Sequence, residues 1–60
     1  MIIVKLKDKR YYNNCKLKFF KDKIVTKEII DFVKNNLNVF WIDCGTESYN
    51  RKDFLNKYKI

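Results

Sequence analysis

The chain is so short that one thin layer of apolar side chains must hold it together. It has 60 residues, and a domain of this size buries only about 60% of the surface that its unfolded chain exposes. Such domains usually gain stability from disulfides, a metal or a partner. Two cysteines and no histidine are too few ligands for a zinc site within one chain. We therefore expect a single domain, residues 1–60, without a cofactor, that gains stability from oligomerisation or from a larger partner.

The start of the chain indicates where the protein is found. Met1–Lys7 contains no apolar run as long as that of a signal peptide. We therefore expect a cytoplasmic protein in which Cys15 and Cys44 stay reduced and pack as small apolar side chains. A disulfide between these two residues is the alternative. No segment approaches the roughly 18 apolar residues of a membrane-spanning helix, so we expect no membrane contact.

Alternation of apolar and polar residues predicts a β-hairpin at the start of the chain. Ile2, Val4 and Leu6 share one parity, which is typical of a half-buried strand. The alternation returns over residues 11–20, after a polar stretch that suits a turn. The predicted hairpin therefore joins two strands through a short loop at residues 8–11.

The predicted register of this hairpin determines which side chains face outward. Pairing of residues whose numbers sum to 19 sets Val4 opposite Cys15 and keeps the apolar side chains of both strands on one face. A shift by one residue would move Lys16 and Lys18 to the core side, which we expect to be unfavourable. The outward face is then predicted to carry basic and aromatic side chains: Lys5, Lys7, Lys16, Lys18 and Tyr12.

An amphipathic helix is predicted from Lys27 to about Leu37. Thr26 is a suitable N-cap, and Glu28 lies in the first turn, where the helix dipole favours a negative charge. Apolar residues recur at helical spacing and form a single stripe. That stripe consists of Ile29, Ile30, Phe32, Val33 and Leu37.

A third strand is predicted over residues 39–44, ending at Gly45. Residues 46–49 either extend this strand or return alongside it, and Asn50–Asp53 has the pattern of a capped helical turn. Tyr58 and Ile60 alternate with lysines, which suits a short closing strand. The order β-β-α-β, with or without a fourth C-terminal strand, predicts an α+β fold in which one helix packs on one face of a small antiparallel sheet.

Catalysis is not expected from this sequence. With no histidine and one serine, a serine or cysteine nucleophile would lack its usual base. Asp43, Glu47 and Asp53 lie around Gly45, and three carboxylates are suitable ligands for Mg²⁺. The lysine that often accompanies such acids is missing after Glu47. We therefore predict no enzyme activity, no catalytic residue and no metal site.

The strong positive charge suggests nucleic acid as one class of partner. Fourteen Lys+Arg against seven Asp+Glu give a net charge of +7. Lysines and aromatic side chains on an open sheet are typical of surfaces that bind single strands. However, arginine makes the strongest base contacts, and only Arg10 and Arg51 are present. A nucleic-acid-binding module that uses the five outward residues of the hairpin is therefore the alternative hypothesis.

A surplus of large apolar side chains suggests a protein interface. Several of them fall on the less buried side of their predicted element, and exposed aromatic residues often anchor protein contacts. In the alternative, the C-terminal segment covers Trp41 with Phe54 or Tyr58. A homodimer would satisfy both the small core and the surplus. The candidate interface residues are Trp41, Val39, Phe20, Tyr49 and Phe32.

In its opening Met1–Asp8, its single helix and its closing Tyr49–Phe54, the chain resembles the small accessory proteins that phages and prophages of low-GC bacteria encode. An excess of residues with AT-rich codons, above all lysine, asparagine and isoleucine, fits such a source. This resemblance implies an inhibitor that binds a host enzyme or an anti-phage defence protein in the bacterial cytoplasm. We therefore predict a non-enzymatic binding protein that acts by protein–protein contact.

Overall fold

The structure, a computed structural model, describes residues 1–8, 10–11 and 13–59 and shows a four-stranded sheet with two helices. The elements are β1 (Ile2–Lys7), β2 (Cys15–Phe20), α1 (Lys27–Asn35), β3 (Val39–Asp43), β4 (Ser48–Asn50) and α2 (Arg51–Lys57). Neighbouring strands are antiparallel, in the order β2-β1-β3-β4. The predicted α+β class is confirmed, with a second helix after the fourth strand.

The first hairpin pairs in a register that differs from the predicted one. Ile2 lies opposite Phe20 and Val4 opposite Lys18, so the paired numbers sum to 22 and the prediction of 19 is wrong. Phe20 is only 7% exposed, and its ring meets that of Phe32 edge-to-face with 5.6 Å between centroids. Burial of this aromatic pair explains the register, because buried aromatic side chains contribute a large share of core stability.

The observed register exchanges the two faces of β2. Lys16 and Lys18 lie on the same side of the sheet as the buried residues of β1, whereas Leu17 and Phe19 lie on the opposite side. The prediction that both lysines share the outward face with Lys5 is therefore wrong. All four of these side chains are exposed, since β2 is an edge strand.

The connection between β1 and β2 is longer than the predicted turn. The Asp8 amide donates a hydrogen bond to the Asn14 carbonyl over 3.1 Å, and the Asn14 amide donates to the Tyr11 carbonyl over 3.1 Å. The predicted loop over 8–11 is wrong because the strand begins only at Cys15. The predicted site residue Tyr12 lies outside the described residues.

Helix α1 begins as predicted and ends earlier. The Thr26 hydroxyl accepts a hydrogen bond from the Ile29 amide over 3.4 Å, which confirms the N-cap. At the other end, the Asn36 side-chain amide donates to the Phe32 carbonyl over 2.7 Å. Leu37 therefore lies beyond the helix and is 83% exposed, so its predicted place in the apolar stripe is wrong.

A β-bulge changes which residues of β3 reach the core. Trp41 and Val39 face consecutive residues of β1, so Phe40 is an extra residue on β3. The bulge lets Val39 and Ile42 both point to the helix side, at 3% and 0% exposure. The prediction that Val39 lies on the same face as Trp41 is wrong, because strict alternation does not continue through a bulge.

The turn from β3 to β4 depends on the single glycine of the chain. Gly45 has a φ of 90°, a left-handed conformation that other residues rarely adopt. Its amide donates to a carboxylate oxygen of Asp43 over 2.9 Å. The Cys44 amide donates to the Glu47 carbonyl over 2.8 Å, which returns the chain as β4.

Helix α2 packs on the same side of the sheet as α1. The Asn50 side-chain oxygen accepts from the Asp53 amide over 2.8 Å, which confirms the predicted capped turn. Phe54 is fully buried and its ring lies 4.9 Å from that of Tyr58, centroid to centroid. Tyr58 caps this helix, so the predicted closing strand is not observed at this position; Ile60 lies outside the described residues.

The two helices are joined by an arginine that the sequence pattern did not reveal. The Arg51 guanidinium donates to the Val33 carbonyl over 3.1 Å and to the Lys34 carbonyl over 3.0 Å. These carbonyls lie in the last turn of α1, where backbone acceptors lack helical partners and a positive charge is favoured. The contact connects the start of α2 to the end of α1.

The core is a single cluster between the sheet and the helices. Its residues come from every element except β4: Ile2, Val4, Phe20, Ile29, Val33, Val39, Ile42 and Phe54. Within the described ranges, no helix is long and apolar enough to cross a membrane.

Truncation of the core should remove most of the stability of so small a domain. Phe54→Ala is expected to lower the free energy of unfolding by about 3–5 kcal/mol, against a total of roughly 3–9 kcal/mol for a chain of this length. Leu37→Ala is the matched control and should change it by less than about 0.5 kcal/mol. Urea unfolding followed by tryptophan fluorescence measures both, and equal losses would contradict this core.

Candidate functional site

One face of the sheet is not covered by any helix of the described chain; we call it the open face. Both helices pack on the other side, where Phe54 contacts Tyr49 and Tyr49 pairs with the buried Ile42. The prediction that Phe54 or Tyr58 covers Trp41 is therefore wrong. Cross-strand pairing arranges the open face in two main rows, Phe19-Ile3-Asp43-Ser48 and Leu17-Lys5-Trp41-Asn50.

The open face carries a group of neighbouring apolar side chains. Phe19 is 55% exposed, Leu17 46% and Trp41 37%, and the half-buried Ile3 lies beside Phe19 in the adjacent strand. Single exposed apolar residues are common on protein surfaces, but a contiguous patch with aromatic members often marks an interaction site.

The size of the open face limits what it can do alone. Four strands of at most six residues, at about 3.3 Å per residue and spaced about 4.8 Å apart, give a face of at most roughly 20 Å by 15 Å, or about 300 Å². A stable protein interface usually buries about 800 Å² on each partner. The open face is therefore large enough to be the apolar centre of an interface, and a partner must also contact its edges.

Two lysines outnumber the single carboxylate, Asp43, in the described part of the open face and give it a net positive charge. Lys5 lies between Leu17 and Trp41 in the second of the two rows. Lys7 pairs with Cys15 near one end, and its ammonium lies 5.5 Å from the centroid of the Phe40 ring. Such a mixture of aliphatic, aromatic and basic groups suits an apolar partner surface with acidic groups around it.

Of the five predicted interface residues, only Trp41 lies on the open face. Val39 and Phe20 belong to the core, so the prediction that they are exposed interface residues is wrong. Phe32 and Tyr49 lie on the helix side of the sheet, partly buried against the core. The difference arises from the register of the first hairpin and from the bulge in β3.

The predicted lysine site is divided between the two faces of the sheet. Lys5 and Lys7 lie on the open face, while Lys16 and Lys18 lie on the helix side. The Lys18 side chain extends towards Phe20, and its ammonium lies 5.7 Å from the centroid of the Phe20 ring. The four lysines therefore do not form one surface.

Sequence alternation missed two residues of the open face, Leu17 and Phe19. Both residues alternate with lysines, and this alternation predicted that they point to the core. The signal against this assignment is the adjacent pair Phe19–Phe20, since two consecutive aromatic residues cannot both point to the core from one strand.

The strongest polar cluster joins β4 and the preceding turn to α2. The Lys57 ammonium donates to the Tyr49 hydroxyl oxygen over 2.7 Å and forms a salt bridge of 3.2 Å with Glu47. The Tyr49 hydroxyl donates to the same carboxylate, and Lys57 also lies 5.0 Å from the centroid of the Tyr49 ring. This cluster lies on the surface and connects β4 to the last turn of α2.

The charges of this cluster are ill-suited to acid–base catalysis. Hydrogen bonds from Tyr49 and Lys57 lower the pKa of Glu47, and hydrogen bonds to Tyr49 and Glu47 raise the pKa of Lys57. The hydrogen bond to Glu47 raises the pKa of Tyr49. All three pKa values move away from neutral pH, whereas a general acid or base works best with a pKa close to it.

The three carboxylates around Gly45, which are suitable ligands for Mg²⁺, make separate contacts. Asp43 accepts from the Gly45 amide, Glu47 binds Lys57, and Asp53 lies in the first turn of α2. Among the residues that the structure describes, no three metal-ligating side chains come together. The magnesium hypothesis therefore gains no support from the geometry.

A groove between the helices is too small to be an obvious small-molecule site. Its volume is about 200 Å³, and it is lined by Ile30, Asp31, Lys34, Leu55, Tyr58 and Lys59. Ligand pockets usually measure about 300–1,000 Å³. The open face is therefore the stronger candidate site.

Comparison with protein-family models, with curated proteins and with solved structures finds no match for this chain. The hypothesis of function therefore depends on the geometry and charge of the chain itself.

The two thiols are expected to react at different rates. Cys15 is exposed, so the prediction that it packs as a small apolar side chain is wrong, whereas Cys44 is partly buried. Burial together with the charges of Asp43 and Glu47 raises the pKa of Cys44. Because the thiolate is the reactive form, labelling with Ellman's reagent near neutral pH should show a fast phase and a slow phase. Cys15→Ser should remove the fast phase, and loss of the slow phase instead would contradict this assignment.

Proposed function

We propose that the protein is a small, non-enzymatic binding protein whose open face docks on another protein. The observation that carries this proposal is the exposure of Phe19, Leu17 and Trp41 on a face that no described helix covers. The partner is expected to present an apolar surface bordered by acidic groups, because Lys5 lies within the patch and the chain has a net charge of +7.

The resemblance to phage and prophage accessory proteins suggests the biological setting of this contact. An inhibitor of a host enzyme or of an anti-phage defence protein needs a complementary surface and no active site. Inhibition of such a cytoplasmic target is the specific form of the proposal.

A homodimer remains a prediction. A second copy of the chain is a less favoured partner for the open face than a different protein. Two chains of net charge +7 repel each other unless the interface compensates for the charge. Light scattering at moderate salt measures the oligomeric state directly. A protein partner with acidic groups satisfies both the apolar patch and the positive charge.

The proposal predicts that partner binding depends on the open face. Phe19→Ala and Trp41→Ala should each weaken binding to a partner protein isolated by affinity pull-down from bacterial lysate at least about tenfold, as truncated anchor residues do. The matched controls are Ile24→Ala and Leu37→Ala, which remove apolar side chains that are 75% and 83% exposed outside the open face. Circular dichroism identifies any variant that fails to fold. Equal binding of both sets would contradict the proposal.

Nucleic acid remains the second candidate because Lys5 and Lys7 share the open face with Phe19 and Trp41. Aromatic platforms with nearby lysines bind single strands by stacking and phosphate contacts. The separation of Lys16 and Lys18 from this face leaves two lysines to contact phosphates.

Salt dependence separates these two functions. Two phosphate contacts release few counterions, so binding to oligo(dT) should weaken only about sevenfold between 50 and 200 mM salt. Fluorescence anisotropy with labelled oligo(dT) measures this slope. A fall of about sevenfold that Lys5→Ala with Lys7→Ala abolishes would favour the nucleic-acid function, whereas no binding of oligo(dT) at 50 mM salt would exclude it.

A further inference from the structure

The free edge of β2 is the side of that strand that faces away from β1. Strand β2 is at one end of the sheet, and Cys15–Phe19 are exposed. No backbone group elsewhere in residues 1–8, 10–11 and 13–59 bonds to β2 along this edge. An edge strand of six residues leaves alternate amides and carbonyls available to another strand.

The opposite edge of the sheet offers much less backbone. Strand β4 has three residues and leads at once into α2 at Arg51. Very short edge strands and covering helices are common means of preventing strand addition. The free edge of β2 therefore offers an additional strand more unpaired backbone than the edge of β4 does.

Charge on this edge selects among the strands that it could accept. On the helix side of β2, Lys16 and Lys18 are two residues apart, so both would face the same side of an added strand. On the open-face side, Leu17 and Phe19 would meet the alternate residues of that strand. An added strand with acidic residues at one parity and apolar residues at the other would complement both sides.

The same lysines oppose pairing with a second copy of this chain. Antiparallel pairing about a two-fold axis perpendicular to the sheet places residues of equal parity on the same face. A pairing centred on Leu17 would set Lys16 opposite the second copy's Lys18, and one centred on Lys18 would set two like charges directly opposite each other. Like charges in these positions are destabilising, which disfavours self-association through this edge.

We propose that the free edge of β2 binds an extended acidic–apolar segment of the protein partner by antiparallel or parallel strand addition. This inference rests on the proposed function and specifies how the partner is recognised. Strand addition also supplies contact area that the open face lacks, because the new strand extends that face beyond Leu17 and Phe19. Backbone hydrogen bonds would supply affinity, and Lys16 and Lys18 would supply selectivity.

The test uses the full-length protein and a synthetic ten-residue peptide of alternating glutamate and valine. The dissociation constant of the protein–peptide complex is measured by fluorescence anisotropy of the labelled peptide at fixed ionic strength. Two further peptides have the same sequence but are N-methylated at every second residue, one along one edge of the extended chain and the other along the opposite edge. Each methylated peptide cannot donate backbone hydrogen bonds from its methylated edge. We expect one of the two methylated peptides to bind at least about tenfold more weakly, since backbone pairing uses one edge of the added strand.

A charge-matched pair of variants tests the role of the two lysines. Lys16→Glu with Lys18→Glu should weaken binding of the glutamate–valine peptide at least about tenfold. Lys21→Glu with Lys23→Glu changes the net charge by the same amount just beyond β2, at exposed positions, and should have a much smaller effect. Equal losses in both variants would show general electrostatic attraction and would overturn the proposal.

Hydrogen exchange locates the bound peptide. Alternate amides of β2 should gain protection when the peptide binds, whereas amides of β4 should not change. Binding without protection in β2, equal affinity of all three peptides, or binding of oligo(dT) with no binding of any peptide would each overturn strand addition. None of these outcomes alters the comparison of Trp41→Ala with Leu37→Ala, so failure of strand addition is distinguishable from failure of the proposed function.

Discussion

Burial of Phe20 is the constraint on which the rest of the sheet depends. Its ring packs edge-to-face on Phe32 of α1, and it lies opposite Ile2 at the start of β1. Because residues alternate between faces along a strand, one buried side chain at the end of β2 determines the direction of every other side chain in it. The two faces of the hairpin, and with them the candidate binding surfaces, follow from this contact.

The same constraint connects folding to the proposed function. With Phe20 in the core, Leu17 and Phe19 must lie on the open face beside Lys5, while Lys16 and Lys18 border the free edge. The bulge in β3 acts similarly, since it lets two residues of one strand enter the core and leaves Trp41 on the open face. Apolar and basic groups thus reach the surface as a consequence of how a minimal core is filled.

The small core also explains the role of polar contacts between elements. Arg51 joins the end of α1 to the start of α2 through two backbone carbonyls, and Lys57 joins α2 to Tyr49 and Glu47. These contacts hold both helices on one side of the sheet. A domain of this size has few buried side chains to position its helices, so such links help to leave the other side open.

Local pattern in the sequence was sufficient for the class of fold, the Thr26 and Asn50 caps, the inward face of β1 and the glycine turn, because each depends on neighbouring residues. It was insufficient for β2 and β3, where apolar residues occur at both parities and either face could have been buried. Only packing against α1 decided that Phe20 enters the core in place of Leu17 and Phe19, and only the bulge placed Val39 beside Ile42. The open face of this protein is therefore a property of its tertiary structure, since burial of one side chain excludes its neighbours from the same core.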